Sequence, residues 1–270
     1  MKNQAIIFSK NRPCQLHLLL ESINTNASFL FDKITVLYKS EDFYKTNYVK
    51  VKNRFFNTIF VEEFSFKQNL LNLIDNDYGA TTLLVDDSII YEPVDASKKN
   101  ILEDVINNNF IFSLRLGKNC TYSHPANLHY LLKEHKETEQ FILLDYTKQA
   151  GDFNYPLSTD GHIYKTELLK TLLDITNFNN PNTLEANLQY FVITNQIPKI
   201  IKSFKKSKLV SVPVNIVNTV FKNRCGLDYQ LTTEDLNNKY TANQIIDFAN
   251  LQFIDIDGPH KELNYAFKQL

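Results

Sequence analysis

The stretch TTLLVDDSIIYEP, residues 81–93, places two adjacent carboxylates, Asp86 and Asp87, directly after an apolar run. The run at 81–85 is short and rich in aliphatic and β-branched side chains, which predicts a buried strand. Two neighbouring carboxylates repel each other, so the pair either lies in a solvated turn or is held by a cation. The surroundings of this pair therefore decide what the end of the strand does.

Strand and helix patterns alternate along the chain before the acid pair. Amphipathic helices are predicted at residues 13–24 and after Ser65, which has capping-box spacing to Gln68. Buried strands are predicted at residues 4–9, 34–38 and 58–61. Repeated βα units of this kind predict an α/β fold with a Rossmann-like, largely parallel central sheet flanked by helices.

The carboxyl ends of parallel strands meet at one edge of such a sheet, where ligands bind. The chain segments expected at this edge are residues 10–12, 39–42, 86–88 and the segment that follows a strand near 110–114. That last segment reads FSLRLGKN, in which Arg115 supplies a cation and Gly117 permits close backbone approach. Carboxylates and cations at one edge suit a divalent metal together with a phosphate group.

The composition limits the classes of protein that remain open. The chain has 270 residues, 43% of them hydrophobic and 22% charged, which is typical of a folded globular protein rather than a disordered one. A formal net charge of −1 and a pI near 6.6 give no overall attraction to nucleic acid or acidic lipid. Nucleic acid is therefore not expected as a partner, and any anion site must be local.

Three widely spaced cysteines, Cys14, Cys120 and Cys225, predict free thiols rather than disulfides or a zinc site. The apolar runs are far shorter than the roughly 20 residues that cross a bilayer. The run near the amino terminus is also too short for a secretory signal, so a cytoplasmic location is expected.

The second half of the chain is less regular, and nothing in its composition separates it from the first half. Helices are predicted at residues 165–173, 180–196 and 241–249, and a strand at 209–217 with Pro213 at an edge or bulge. We therefore expect a single domain that spans residues 1–270.

Two segments, AIIFSKNRPCQLHLLLESI (residues 5–23) and LLVDDSIIYEP (residues 83–93), resemble the GT-A glycosyltransferases, in particular family 2-like nucleotide-sugar transferases. In that family an acidic DxD-type motif holds Mn²⁺ or Mg²⁺ against the nucleotide diphosphate. The resemblance implies that Asp86 and Asp87 face the metal and that His260, in GPHK, is a third ligand, with Asp257 as a substitute. The sequence departs from the motif at Ser88, where a third acid often stands, so the metal requirement stays open.

The resemblance also implies the two halves of the site. Residues 1–120 would bind the nucleotide sugar, and residues 121–270 would bind the acceptor. The implied donor-binding residues are Phe8, Ser9, Lys10, Arg12, Tyr38, Lys39, Asp86 and Arg115. Arg12 can make a bidentate contact with phosphate, and the ring of Tyr38 offers a face for stacking.

Candidate catalytic residues come from two later segments. In YPLSTDGHIY (155–164) the resemblance implies that Asp160 accepts hydrogen bonds from sugar hydroxyls and that His162 orients the substrate. In NPNTLEANL (180–188) it implies that Glu185 removes the proton of the acceptor hydroxyl. Two of these residues also have a structural interpretation. His162 can be a structural histidine, and Glu185 can be a glutamate favoured by the helix dipole.

A lysine-rich segment, IPKIIKSFKKSK (197–208), suits either a solvated loop or a peripheral contact with a lipid-linked acceptor at an anionic membrane surface.

The function implied is transfer of a sugar from a nucleotide diphosphate to a hydroxyl of a glycan or lipid-linked acceptor, as in bacterial surface polysaccharide synthesis. Two alternatives stay open. A non-catalytic nucleotide-sugar-binding protein is compatible with Ser88, whereas a sugar-1-phosphate nucleotidyltransferase is disfavoured because FSKNRP has no glycine after the first strand. A haloacid-type phosphatase is disfavoured because Ser9 and Lys10 stand where its acidic pair would be.

Overall fold

The computed structural model of the chain describes residues 1–196, 198–217 and 224–270. The helices are α1 (Pro13–Asn26), α2 (Asp42–Arg54), α3 (Phe66–Leu73), α4 (Lys98–Asn108), α5 (Thr166–Ile175), α6 (Pro181–Asn195) and α7 (Thr233–Thr241). The strands are β1 (Asn3–Lys10), β2 (Lys33–Lys39), β3 (Ile59–Glu62), β4 (Ala80–Val85), β5 (Ser88–Ile90), β6 (Ile111–Ser113), β7 (Tyr122–Ser123), β8 (Leu128–His129), β9 (Lys136–Glu137), β10 (Phe141–Asp145), β11 (His162–Lys165), β12 (Ile200–Phe204), β13 (Leu209–Ser211), β14 (Gln244–Ile246) and β15 (Phe267–Gln269).

The central sheet is mixed rather than largely parallel. Within the described residues it has nine strands in the order β3-β2-β1-β4-β11-β6-β12-β10-β9. The four strands β3, β2, β1 and β4 are parallel, as the alternating βα pattern predicts. Strand β11 then runs antiparallel to both of its neighbours, β4 and β6. Because two reversals cancel, β6 points the same way as β4, and the segment after β6 reaches the same edge as the acid pair.

Alternate residues of the central strands pack on opposite faces of the sheet, because side chains alternate along a strand. Ile7 of β1 belongs to the hydrophobic core that includes α1, α2 and α4. Its neighbours Ile6 and Phe8 belong to the core that includes α3, α5 and α6. Helices therefore cover both faces of the sheet.

Two predicted elements of the carboxyl-terminal half are wrong. Helix α7 ends at Thr241, where the helix predicted at 241–249 would begin. The chain turns there because Asn243 adopts a left-handed φ of 59°, and it continues as strand β14. The strand predicted at 209–217 ends at Ser211, two residues before Pro213, whose ring nitrogen cannot donate to a neighbouring strand.

The capping box predicted for α3 is also absent. Ser65 stands at the N-cap, but its side chain makes no capping hydrogen bond. Asn69 makes the reciprocal contact expected of Gln68, since its side-chain oxygen accepts from the backbone N–H groups of Phe64 and Ser65 at 2.9 and 3.0 Å. The prediction of free thiols is confirmed, with Cys14 and Cys120 buried and Cys225 half-buried.

Candidate active site

A cleft of about 850 Å³ opens at the carboxyl ends of strands β1, β2 and β4. Most of the site residues predicted from the sequence line it. They are Phe8, Ser9, Lys10, Arg12, Lys39, Asp86, Asp87, Arg115, Asp160, Glu185 and His260. The sheet therefore brings together residues from both halves of the chain, as ligand sites at the strand ends of α/β sheets require.

One wall of the cleft is apolar and is built by strand register. Phe8 pairs with Leu37 of β2 on one side and with Val85 of β4 on the other, so the three side chains stand in a row. The ring of Phe66, from α3, meets Phe8 edge to face at a centroid distance of 5.0 Å. This wall offers a flat apolar surface of the kind that accepts an aromatic base.

The acid pair of the opening stretch is held by an arginine. A single Nη1 of Arg12 donates to Asp86 Oδ1 at 3.1 Å and to Asp87 Oδ2 at 2.9 Å. The second oxygen of Asp86 accepts from the backbone N–H of Lys10 at 3.1 Å. We call Arg12, Asp86 and Asp87 the acid-pair cluster. Its arginine neutralises one of the two negative charges inside the protein.

The rest of the Arg12 guanidinium binds the segment after β13. Its Nε donates to the Asn215 side chain at 2.7 Å, and its Nη2 donates to the Asn215 carbonyl at 2.5 Å. Nearby, the Lys10 ammonium donates to the Val217 carbonyl at 3.4 Å. A carbonyl carries no net charge, so Lys10 presents a positive charge to the cleft that it lines.

Burial sets the protonation of the acid pair. It raises the pKa of Asp86 to about 6, against the opposing pull of Arg12. Burial likewise raises the pKa of Asp87, again opposed by Arg12. The pKa of Arg12 itself lies above its ordinary value, because Asp87 and Asp86 outweigh the effect of burial. The guanidinium is therefore charged at every pH at which the protein folds.

The predicted metal ligands do not come together as a divalent ion needs. Both oxygens of Asp86 are engaged, one by Arg12 and one by the Lys10 amide. His260 lies on Asp160, with its Nε2 3.3 Å from Asp160 Oδ2, rather than on the acid pair. Among the residues that the structure describes, no group of three or more His, Cys, Asp or Glu side chains could hold a metal. The donor set therefore does not fit Mn²⁺ or Mg²⁺ in this arrangement.

A second group of charged residues surrounds Arg115, and we call it the base cluster. It consists of Arg115, Asp152, Asp160, Glu185 and His260. Arg115 is 3% exposed, donates from Nη2 to Asp152 at 3.1 Å, and lies 3.7 Å from Asp160 Oδ2. The contacts with His260 and Arg115 lower the pKa of Asp160, although burial acts in the opposite direction. Asp160 is thus an ionised carboxylate at neutral pH.

Glu185 is the member of the base cluster suited to accept a proton. It lies in the second turn of α6, where its Oε1 accepts from the backbone N–H and the hydroxyl of Thr159 at 2.5 and 3.0 Å. Burial, followed by the negative charge of Asp160, raises the pKa of Glu185 to about 7. A carboxylate with this pKa, fixed in position in a cleft, is matched to general-base chemistry at neutral pH.

Two predicted residues lie outside the cleft. His162, the first residue of β11, is 1% exposed, and its Nδ1 lies 3.2 Å from the Pro156 carbonyl. Burial lowers its pKa to about 3, so the ring is neutral. The ring of Tyr38 stacks on Tyr48 at 4.8 Å rather than lining the cleft. The structure therefore brings neither residue to the ligand space.

The lysines at 197–208 are all paired with carboxylates. Lys202, for example, lies 2.7 Å from Asp104 and forms part of the central sheet. The other pairs are Lys199 with Asp145, Lys205 with Glu137, Lys206 with Glu92 and Lys208 with Asp95. Each of these lysines therefore has a carboxylate partner within the chain. Across the described ranges, no helix is long and apolar enough to span a bilayer.

Several cleft residues escaped the sequence reasoning. Asp152, Thr159 and Asn215 hold Arg115, Glu185 and Arg12 in place. Asn215 lies 203 residues from Arg12 along the chain, so no local spacing could have indicated the contact. His124 and Arg224 line the far end of the cleft, and Arg224 is held there by the His124 carbonyl at 3.1 Å.

Comparisons with known proteins bear on the fold. No protein-family model and no curated protein matches the sequence. Among solved structures, Staphylococcus aureus TarS matches with 14% identity and a TM-score of 0.51, over 78% of this chain and 36% of TarS. Residues 1–349 of TarS in complex with UDP match with 15% identity and a TM-score of 0.50, over 77% of this chain and 60% of that one. The bifunctional glycosyltransferase WbbM matches with 13% identity and a TM-score of 0.37, over 74% of this chain and 45% of WbbM.

The chain spans well under two thirds of the length of the solved TarS chains that it matches. At these identities the likeness establishes the fold and not the activity. The chain has the α/β fold of the GT-A glycosyltransferases, with a mixed central sheet flanked by helices.

Proposed function

We propose that this protein is a glycosyltransferase that transfers a sugar from a nucleotide diphosphate to a hydroxyl of a glycan or lipid-linked acceptor. One observation carries the proposal: a single cleft joins the apolar wall at Phe8, the cation Lys10 and the carboxylate Glu185. These three features match the base, the diphosphate and the sugar of such a donor. Support also comes from the fold, since a solved structure with this fold, that of TarS, holds UDP.

The residues divide the donor between them. The base lies against Phe8 and Phe66, and the diphosphate lies beside Lys10 and Lys39, whose positive charges offset its negative charge. The sugar then extends toward Asp160 and Glu185. Asp160, kept ionised by Arg115 and His260, accepts hydrogen bonds from sugar hydroxyls.

Transfer then needs one proton acceptor. Glu185 takes the proton of the acceptor hydroxyl as its oxygen attacks C1 of the sugar, and the bond from C1 to the diphosphate oxygen breaks. The nucleoside diphosphate departs with the electron pair of that bond. Because Glu185 must be ionised and its pKa lies at about 7, turnover should rise with pH through the neutral range.

The test combines binding with turnover. Calorimetric titration with UDP, GDP and CDP should identify one that binds, and the corresponding nucleotide sugar should be hydrolysed slowly or transferred to an added acceptor. Phe8→Leu removes the ring but keeps most of the buried volume of this 4% exposed side chain, and it should weaken binding by about tenfold, because stacking on one base contributes on the order of 1–3 kcal/mol. Phe112→Leu is the matched control, since Phe112 is also buried and lies outside the cleft.

The outcomes separate the alternatives. Binding of a nucleotide sugar with no hydrolysis and no transfer to any acceptor would favour a non-catalytic binding protein. Formation of a nucleotide sugar from a nucleoside triphosphate and a sugar 1-phosphate would favour a nucleotidyltransferase. Equal weakening in Phe8→Leu and Phe112→Leu would remove the assignment of the apolar wall to the base.

A further inference from the structure

We propose that Arg12 is the built-in counter-cation of Asp86 and Asp87, so that this site takes up no divalent metal ion and binds a nucleoside diphosphate without one. The nucleotide half of this inference rests on the proposed function. The metal half stands on the geometry of the acid-pair cluster alone.

The position of the guanidinium is the first argument. Its Nη1 lies between the two carboxylates, 3.1 Å from one and 2.9 Å from the other. A divalent ion bridging Asp86 and Asp87 would need the same space between the same oxygens. The Arg12 side chain is 7% exposed, so it is a fixed part of the interior rather than a surface group.

The second argument is that Arg12 is anchored on its far side. Asn215 accepts from Nε and from Nη2, so four of the five guanidinium N–H bonds are used by Asp86, Asp87 and Asn215. Asn215 is in turn held by the Leu231 carbonyl at 2.9 Å. Moving Arg12 away to admit a metal would leave buried donors and acceptors without partners.

The third argument is the charge of the surroundings. Arg12 compensates one of the two negative charges that Asp86 and Asp87 carry when ionised. The ammonium of Lys10, whose partner is the Val217 carbonyl, stays available to a diphosphate. The third predicted ligand, His260, is already paired with Asp160.

Mn²⁺ alone is the probe that tests the metal half. Electron paramagnetic resonance titration of free Mn²⁺ should show no binding to the wild-type chain up to the millimolar range. Arg12→Gln, which removes the charge but keeps a hydrogen-bonding amide, should bind Mn²⁺ at least about tenfold more tightly than the wild type. Arg54→Gln is the matched control, because Arg54 is an exposed arginine at the end of α2 and should behave as the wild type does.

The nucleotide half is tested by calorimetry on the wild type with UDP, GDP and CDP, in a chelator and in excess Mn²⁺. The affinities should agree within about threefold. If Arg12→Gln does not fold, the wild-type titrations still decide the matter, because they need no variant.

Stoichiometric Mn²⁺ binding by the wild type, or a gain of more than tenfold in nucleotide affinity with Mn²⁺, would overturn the inference and leave the proposed function intact. Failure of every nucleoside diphosphate to bind in both buffers would overturn the proposed function and the nucleotide half together. The absence of Mn²⁺ binding in that case would still support the role of Arg12.

Discussion

The acid-pair cluster and the base cluster lie in one cleft, yet their polar atoms are satisfied to different degrees. In the acid-pair cluster, Arg12 donates to both carboxylates and to Asn215. In the base cluster, the buried Nε of Arg115 and Nδ1 of His260 have no hydrogen-bond partner among the residues described. Buried polar atoms without partners are rare in folded proteins. Arg12 thus uses its donors within the protein, whereas the base cluster keeps two buried polar atoms without a partner among the described residues.

The pKa values follow the same division. In the acid-pair cluster a cation opposes the effect of burial on both carboxylates. In the base cluster the charge of Asp160 acts in the same direction as burial and raises the pKa of Glu185 further, to about 7. After burial, the largest influence on the pKa of Glu185 is the like charge of Asp160, opposed by Arg115, whereas the largest on Asp86 and Asp87 is the opposite charge of Arg12.

The largest expected effect is on turnover when Glu185, the proposed general base, is replaced by a side chain that cannot take a proton. Glu185→Gln keeps the size of the side chain and an oxygen that can accept from Thr159, but it cannot take a proton. The turnover number should fall by about 10³-fold, within the range that a positioned general base contributes. Affinity for the nucleoside diphosphate should change by less than about threefold, because the proposed role of Glu185 is with the acceptor hydroxyl and not with the nucleotide.

Glu167→Gln is the control for that change, because Glu167 is an exposed glutamate in the first turn of α5. Steady-state kinetics of both variants, together with calorimetry, give the comparison. Turnover of Glu185→Gln close to that of Glu167→Gln would move the role of the base to another carboxylate, with Asp160 next in position.

A smaller effect is expected on stability as a function of pH. Folding raises the pKa of Glu185 from 4.5 to about 7, so the native state favours the protonated form. The stabilisation from this group is complete below pH 4.5 and is lost as the pH rises through 7. Glu185→Gln cannot ionise, so it should be more stable than the wild type by about 3 kcal/mol at pH 8 and equal to it at pH 4.

Urea unfolding at the two pH values measures this difference, again with Glu167→Gln as the reference. A variant that is less stable than the wild type at pH 8 would mean that the ionised Glu185 strengthens the fold. The base cluster would then be as well satisfied as the acid-pair cluster, and the contrast between them would disappear.

The first half of the fold could be predicted because its signals are local. Short apolar runs and helical periodicity depend only on neighbouring residues, and strands β1 to β4 lie where those patterns put them. The strand-end position of Asp86 and Asp87 followed from the same patterns. The antiparallel position of strand β11 could not be foreseen, because strand pairing depends on residues that are distant in sequence. His162 was therefore expected in the cleft, although it is buried at the start of β11.

The site was predictable in its members more than in their partners. Arg12 and the acid pair were both expected in the cleft, but not in contact with each other, since 74 residues separate Arg12 from Asp86. Sequence spacing does not show which cation approaches which carboxylate. The same limit applies to His260, which was assigned to a metal and instead pairs with Asp160.

The smallest expected effect separates stability from positioning. Asn180 caps α6, the helix that carries Glu185, and its side chain accepts from the Thr183 backbone N–H at 2.9 Å. Thr232 caps α7 in the same way, accepting from the Asp235 N–H at 3.0 Å, and lies outside the cleft. Asn180→Ala and Thr232→Ala should each cost about 1 kcal/mol in the free energy of unfolding.

Only the cap next to the base cluster should affect catalysis. Fraying of the first turn of α6 displaces Glu185 from Thr159, so Asn180→Ala should lower turnover by about fivefold, whereas Thr232→Ala should leave it unchanged. Denaturant unfolding and steady-state rates on both variants provide the measurement. An equal fall in turnover for the two would show that activity follows global stability, because a cap far from Glu185 can reach it in no other way.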